Sequence, residues 1–229
     1  MSQTVAGEFG NPFPGLRPFR DDEEHLFFGR ESQVDAIVDK LAVARFLAVV
    51  GASGSGKSSL VNCGLRPALH RGLMTRAGTS WRVAQFRPGS RPLAAMTHRL
   101  ASNGVLYCDY KGPVPLEEIV DTSLRVSKRG LIDAFRKARL PDGVNLLVVV
   151  DQFEELFRYQ TLSTSAMGGG ERSEESVAFV NLLLEAKRQL DLPIYIVLTM
   201  RSDFLGNCAE YPGLPEAINE GQYLVPRMT

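Results

Sequence analysis

The chain has 229 residues, of which 44% are hydrophobic, enough for one large or two small domains with a buried core. Its 26 Lys and Arg residues balance 26 Asp and Glu residues, so no global positive field attracts nucleic acid or an anionic membrane. Cys63, Cys108 and Cys208 are far apart, which argues against a disulfide framework and a structural zinc site. Without an apolar leader or a membrane-length apolar run, the sequence predicts a soluble cytoplasmic protein.

The chain alternates helical periodicity with short apolar runs. Residues 11–19 hold three prolines and predict an extended strap. Helices are predicted at 31–44, 57–70, 92–101, 116–127, 130–139, 154–160 and 174–190, with a loop at 161–172. Strands are predicted at 46–50, 81–86, 146–150, 194–199 and 223–225. This alternation predicts an α/β fold with a largely parallel sheet and helices on both faces.

Residues 51–58 match the motif G-x-x-x-x-G-K-[S/T], and they lie between an apolar strand and a helix as the motif requires. Glycines let backbone N–H groups close around phosphates, and the following helix adds its positive end. Lys57 is predicted to reach the β- and γ-phosphates and Ser58 to ligate magnesium, with Ser59 assisting nearby. The other predicted phosphate contacts are Gly51, Ala52, Ser53, Gly54, Ser55 and Gly56. A glycine-rich turn without a ligand is the minor alternative.

A phosphate loop also requires an acidic element on a neighbouring strand. Asp151 follows the apolar run 146–150 and is the predicted second magnesium ligand, unless it merely caps a helix. Glu154 and Glu155 follow three and four residues later, where a carboxylate can orient and deprotonate the attacking water. Glu155 is the preferred base of the two. Either glutamate could instead supply favourable charge in the first turn of a helix.

The run 194–199 ends in Thr199 and is followed by Arg201. Ligands bind at the carboxyl ends of the strands in a doubly wound sheet, so both residues are expected to face the γ-phosphate. Arg201 is the predicted sensor of that phosphate, and the alternative is a simple ion pair with Asp203. Four other arginines lack interleaved aromatics and are expected on a solvated face, namely Arg82, Arg87, Arg91 and Arg99.

Together these motifs resemble the STAND class of signal-transduction P-loop ATPases, specifically the novel STAND NTPase type 1 family, found mostly in bacteria. Residues 11–19, followed by Phe-Phe-Gly-Arg-Glu at 27–31, look like that family's N-terminal signature. Its hhGRE element lies against the adenine base, which implies base contacts for Phe28, Gly29 and Arg30. The blocks at 51–59, 151–157 and 199–201 match in order and spacing.

This resemblance implies a three-layer P-loop NTPase of the additional-strand type with strand order 5-1-4-3-2. Residues 1–30 would form the strap and adenine-side element, and residues 31–229 the NTPase core. The implied ligands are ATP or ADP with Mg²⁺, and the implied function is a slowly hydrolysing switch that drives self-association. In complete family members a helical lid and a winged helix follow and lead to sensor or effector domains, and this chain is expected to lack both.

Two other functions remain open. A non-hydrolysing interaction module would bind nucleotide only to hold its shape, and Gln152 supports it by standing where many related ATPases carry their catalytic glutamate. A DNA-handling AAA-type ATPase would share the phosphate loop and the strand order. The neutral net charge and the absence of a basic winged helix weigh against this second alternative, so no direct nucleic-acid or membrane binding is predicted.

Overall fold

The computed structural model describes residues 27–159 and 174–226. The predicted strap and the predicted loop at 161–172 therefore lie outside the described residues. Within the described part, five strands form one sheet in the order β2-β3-β4-β1-β5, and every pair is parallel. The strands are β1 (Phe46–Gly51), β2 (Trp81–Phe86), β3 (Asn145–Val150), β4 (Ile194–Arg201) and β5 (Gln222–Leu224). This order is the predicted order taken from the opposite edge.

Helices cover both faces of the sheet. They are α1 (Glu31–Ala44), α2 (Lys57–Ser59), α3 (Arg66–His70), α4 (Pro92–Ala101), α5 (Leu116–Val126), α6 (Gly130–Ala138), α7 (Glu174–Arg188) and α8 (Leu214–Gly221). A π-helical stretch, Leu60–Leu65, joins α2 to α3, and a 3-10 helix, Ser202–Glu210, follows β4. No helix among the described residues is both long and apolar enough to cross a membrane.

Alternate residues of β1 divide the core into two layers, because successive side chains of a strand point to opposite faces. Phe46, Ala48 and Val50 belong to one buried cluster, which α4, α5, α6, α7 and α8 complete. Leu47 and Val49 belong to the other, which α1, α3 and the π-helical stretch complete. The sheet is thus buried on both sides, which explains why its central strands consist of continuous apolar residues.

Strand register brings the predicted site to one edge of the sheet. In the pairing of β1 with β4, Val49 lies opposite Thr199, and Gly51 lies opposite Arg201. On the other side of β4, Val150 of β3 pairs with Leu198, so Asp151 emerges next to Thr199. The carboxyl ends of β1, β4 and β3 therefore lie side by side, as expected for a ligand site in an open parallel sheet.

Five predicted helices, those at 31–44, 92–101, 116–127, 130–139 and 174–190, were found with small changes at their ends. The helix predicted at 57–70 contains the π-helical stretch, and the one predicted at 154–160 is helical at 155–159, with residue 160 outside the described residues. Two helical segments near the end of the chain were not predicted. These are the 3-10 helix Ser202–Glu210 and α8. Gly213, with a φ of 86°, directly precedes α8, and a proline lies in the first turn of that helix. Proline is compatible with that position because its missing N–H has no partner there.

Gly221 ends α8 at a point of close backbone contact with β1. A Cβ atom on Gly221 would lie 1.9 Å from the carbonyl oxygen of Phe46. Relief would require α8 or β1 to move within a packed core, so Gly221→Ala is expected to lower the free energy of unfolding by about 2–3 kcal/mol. Denaturant unfolding measures this loss.

Gly206→Ala is the matched control, because a Cβ atom there would meet nothing within 4 Å. Its free energy of unfolding should change by less than about 1 kcal/mol. Equal stability of the two variants would contradict the close contact at Gly221.

Candidate nucleotide-binding site

The loop between β1 and α2 adopts a conformation that depends on glycine. Gly54 and Gly56 have φ angles of 74° and 84°, in the left-handed region that other residues rarely enter. Inside the loop, the Ser55 amide donates a hydrogen bond of 3.2 Å to the Ala52 carbonyl. Gly51 has no room for a side chain, since a Cβ atom would lie 2.7 Å from Ser55 Oγ and 3.3 Å from Val225 Cβ.

Lys57 lies at the start of α2 and folds back onto this loop. Its Nζ donates hydrogen bonds of 3.1 Å to the Gly51 carbonyl and 2.8 Å to the Ala52 carbonyl. Partial burial lowers the pKa of Lys57, the Glu154 carboxylate opposes this shift, and Arg201 adds to it. The ammonium group is therefore held against the loop backbone with a carboxylate and a guanidinium nearby.

Ser58 and Asp151 meet as the sequence predicts for two ligands of one metal ion. Ser58 Oγ donates a 2.6 Å hydrogen bond to Asp151 Oδ1, and Thr199 Oγ1 donates one of the same length to the same oxygen. Asp151 is only 6% exposed. Hydroxyl and carboxylate oxygens are hard ligands, and Mg²⁺ sites often use only one or two protein oxygens beside water and phosphate. The residues present therefore fit Mg²⁺.

The two acidic residues after Asp151 have different partners. Glu154 is buried, and its Oε2 lies 3.4 Å from the backbone nitrogen of Arg201. Glu154 is also the strongest of the charges that raise the pKa of Lys57. Glu155 instead accepts a 3.1 Å hydrogen bond from the Gly89 amide, on the loop after β2. Glu154 thus belongs to the phosphate-loop side of the site and Glu155 to the β2 side.

Arg201 has the ion-pair partner that the sequence offered as an alternative to a phosphate. Its guanidinium pairs with Asp203, and this pairing raises the pKa of Arg201 and lowers that of Asp203. The guanidinium also lies 5.7 Å from the centre of the Phe204 ring. Strand register nevertheless keeps Arg201 next to Gly51, the first residue of the phosphate loop.

Arg30 contacts the phosphate loop directly, which the sequence alone did not suggest. Its side chain is 3% exposed, and Nη2 donates a 3.2 Å hydrogen bond to the Ser55 carbonyl. Gly29 has a φ of 78° and precedes this buried residue, while Phe28 is 71% exposed. The segment predicted to lie against a base therefore also braces the loop.

Of the four arginines expected on a solvated face, two form hydrogen bonds with backbone carbonyls and a third forms an ion pair. Arg82 donates to the Gly104 carbonyl over 3.0 Å, and Arg99 donates to the Val83 carbonyl over 3.2 Å. Arg87 Nε lies 3.7 Å from Asp151 Oδ2. Sequence spacing gives no signal for such long-range contacts, although the position of Arg87 directly after β2 places it at the same sheet edge as Asp151.

Comparison with known proteins adds the family. The model of the family described as Novel STAND NTPase 1 matches residues 12–229. The chain belongs to this family. It is therefore a STAND-type NTPase nucleotide-binding domain, and the resemblance noted in its motifs is confirmed. No curated protein matches the chain.

Among solved structures, this STAND NTPase domain is similar to one described as the Aeropyrum pernix ORC2 protein in ADPNP and ADP complexes. The two share 13% sequence identity with a TM-score of 0.51, over 87% of this chain and 48% of that chain. The STAND NTPase domain thus spans about half the length of that protein. At this identity the likeness concerns the fold alone, and it confirms the predicted α/β P-loop architecture.

Proposed function

We propose that this STAND NTPase domain binds ATP with Mg²⁺, hydrolyses it slowly, and uses the change from ATP to ADP as a signalling switch. One observation carries the proposal. The Ser58 and Thr199 hydroxyls converge on one oxygen of Asp151, each at 2.6 Å, and the buried Glu154 carboxylate interacts with the charge of Lys57. A metal-ligand pair and a candidate base at the end of a phosphate loop are the parts that phosphoryl transfer to water requires.

Phosphate binding is assigned to the loop and to Lys57. Backbone N–H groups from Gly51 to Ser59 and the N-terminal end of the helical segment supply a positive field for the phosphates. Lys57 now bonds to two loop carbonyls. On nucleotide binding its ammonium would exchange these carbonyls for β- and γ-phosphate oxygens, which are stronger acceptors because they are charged.

Ser58 and Asp151 would hold the magnesium ion, with Thr199 orienting the carboxylate. Mg²⁺ supplies neutralisation of the negative charge that develops on the phosphate oxygens. The Thr199 hydroxyl also accepts a 3.0 Å hydrogen bond from the backbone N–H of Gln152, so its own hydrogen is directed to Asp151. This arrangement fixes which oxygen of Asp151 faces Ser58.

The geometry favours Glu154 over Glu155 as the group that orients and deprotonates water. Glu154 is buried and its carboxylate interacts electrostatically with Lys57, whereas Glu155 accepts a hydrogen bond from the Gly89 amide. Arg201 would leave Asp203 to reach the γ-phosphate. Such an exchange costs little, because solvent screens the interaction between two exposed charges.

The remaining parts of the proposal rest on the family. Phe28, Gly29 and Arg30 would contact adenine, and the Arg30 hydrogen bond to Ser55 would couple base binding to the phosphate loop. We assign ATP rather than GTP on this basis. A STAND switch also implies that the protein self-associates and works with C-terminal sensor or effector domains. It further implies a cytoplasmic location.

Phosphate release from ATP tests the proposal. Wild type is expected to release phosphate only with Mg²⁺, and Asp151→Asn should reduce the rate at least about tenfold because the metal loses a charged ligand. Asp142→Asn, at an exposed turn, is the control and should behave as wild type. Nucleotide binding without any release would instead support the non-hydrolysing module, and DNA-stimulated turnover would support the DNA-handling alternative.

A further inference from the structure

The loop after β2 reaches the metal-ligand candidate from the side opposite the phosphate loop. Phe86 pairs with Val150, and the Asp151 amide donates a 2.8 Å hydrogen bond to the Phe86 carbonyl. Arg87 and Asp151 are therefore the first residues beyond two paired strands. In the loop from 87 to 91, Pro88 is buried, whereas Arg87, Ser90 and Arg91 are exposed.

The two oxygens of Asp151 have separate partners. Oδ1 accepts the hydrogen bonds from Ser58 and Thr199. Oδ2 faces Arg87, whose Nε lies 3.7 Å away. The Arg87 side chain is 53% exposed, whereas that of Asp151 is 9% exposed. A partly hydrated cation is thus paired with a nearly buried carboxylate that would otherwise lack a compensating charge on that side.

Gln152 and Glu155 tie the same loop to Asp151. With its amide oxygen towards Arg87 and its nitrogen towards Glu155, the Gln152 side chain accepts from Nη2 at 3.1 Å and donates to Oε1 at 3.2 Å. The other Glu155 oxygen accepts from the Gly89 amide at 3.1 Å. Gln152 has a φ of 56°, an unfavourable value for a residue with a side chain, so these contacts compensate for backbone strain.

We propose that Arg87 is a positioning residue that competes with Mg²⁺ for Asp151. This inference rests on the proposed function, because it assumes that Asp151 binds the metal. Without metal, Arg87 neutralises the carboxylate and holds it in place. A divalent cation brings twice the charge, so it displaces the guanidinium, and Gln152 and Glu155 carry the displacement to the loop at Gly89.

Competition predicts the direction in which the loss of Arg87 changes the affinity for Mg²⁺. Removing Arg87 removes both a rival for the carboxylate and a like charge that repels Mg²⁺, so metal should bind more tightly. A purely structural role would give the opposite result, because a disordered loop would loosen the site. Because the Arg87 side chain is 53% exposed, its pairing with Asp151 accounts for no more than about a fivefold change in metal affinity.

A titration of the ADP-loaded protein with Mn²⁺ tests the direction of this change in metal affinity. The electron paramagnetic resonance signal of free Mn²⁺ measures how much of the ion is bound. Arg87→Gln is expected to bind Mn²⁺ about two- to fivefold more tightly than wild type, with Arg87→Lys in between. Arg91→Gln removes the same charge from the same loop and should differ from wild type by less than about 1.5-fold.

Binding by Arg87→Gln that equals that of Arg91→Gln, or is weaker, would overturn the inference alone. Absence of Mn²⁺ binding by ADP-loaded wild type would overturn the proposed function and the inference together.

Discussion

Glu154→Gln is expected to slow ATP hydrolysis by about 100- to 1,000-fold while changing ATP affinity by less than about threefold. Glutamine keeps the size of the side chain and an oxygen for the Arg201 amide, but it cannot accept a proton from water. The loss should therefore appear in the chemical step. Single-turnover hydrolysis and equilibrium binding of ATP measure the two quantities separately.

Glu155→Gln is the matched control, since it makes the same change one residue further along the chain. Its amide oxygen can still accept the Gly89 hydrogen bond, so hydrolysis should fall by no more than about fivefold. A larger loss in Glu155→Gln than in Glu154→Gln would reverse the assignment of the base.

Lys57→Ala is expected to raise the Kd for ATP by about 100-fold or more. The variant removes charge-assisted hydrogen bonds to two phosphates. A 100-fold increase in Kd corresponds to a loss of about 2.7 kcal/mol of binding free energy. Equilibrium titration with a fluorescent ATP derivative measures the change. The fold should persist, because the hydrogen bonds that Lys57 now makes go only to carbonyls of the loop itself.

Lys40→Ala provides the control for general charge effects, because Lys40 is exposed on α1. Its Kd for ATP should equal that of wild type. Equal affinity of Lys57→Ala and wild type would refute the nucleotide site.

The sequence predicted the strands well, for physical reasons. A parallel strand buried on both faces must be a continuous apolar run, so β1, β3 and β4 are visible in composition alone. Ser58 and Asp151 could be expected to lie close together, because Asp151 directly follows β3 and Ser58 lies in the helix that follows β1 and the phosphate loop. The strand order followed from the family resemblance, and the sheet confirms it.

Side-chain direction could not be predicted in the same way. Glu154 and Glu155 are adjacent in sequence, and their different partners depend on the turn at 151–154, where Gln152 has a positive φ. A preference for left-handed backbone is weak in glutamine, so nothing in the residue types indicated this turn. Arg30 and Arg87 were likewise missed as partners of Ser55 and Asp151, because these contacts join positions far apart in sequence.

The phosphate loop has supports that come from distant parts of the chain. Arg30 bonds to the Ser55 carbonyl from before α1. After β5, the Val225 amide donates a 2.7 Å hydrogen bond to the carbonyl of Val50, the residue before Gly51. The loop therefore reaches its final shape only when the segments before α1 and after β5 have closed around it, which costs the entropy of long-range closure. During folding, the completion of the phosphate loop depends on contacts between residues that are far apart in sequence.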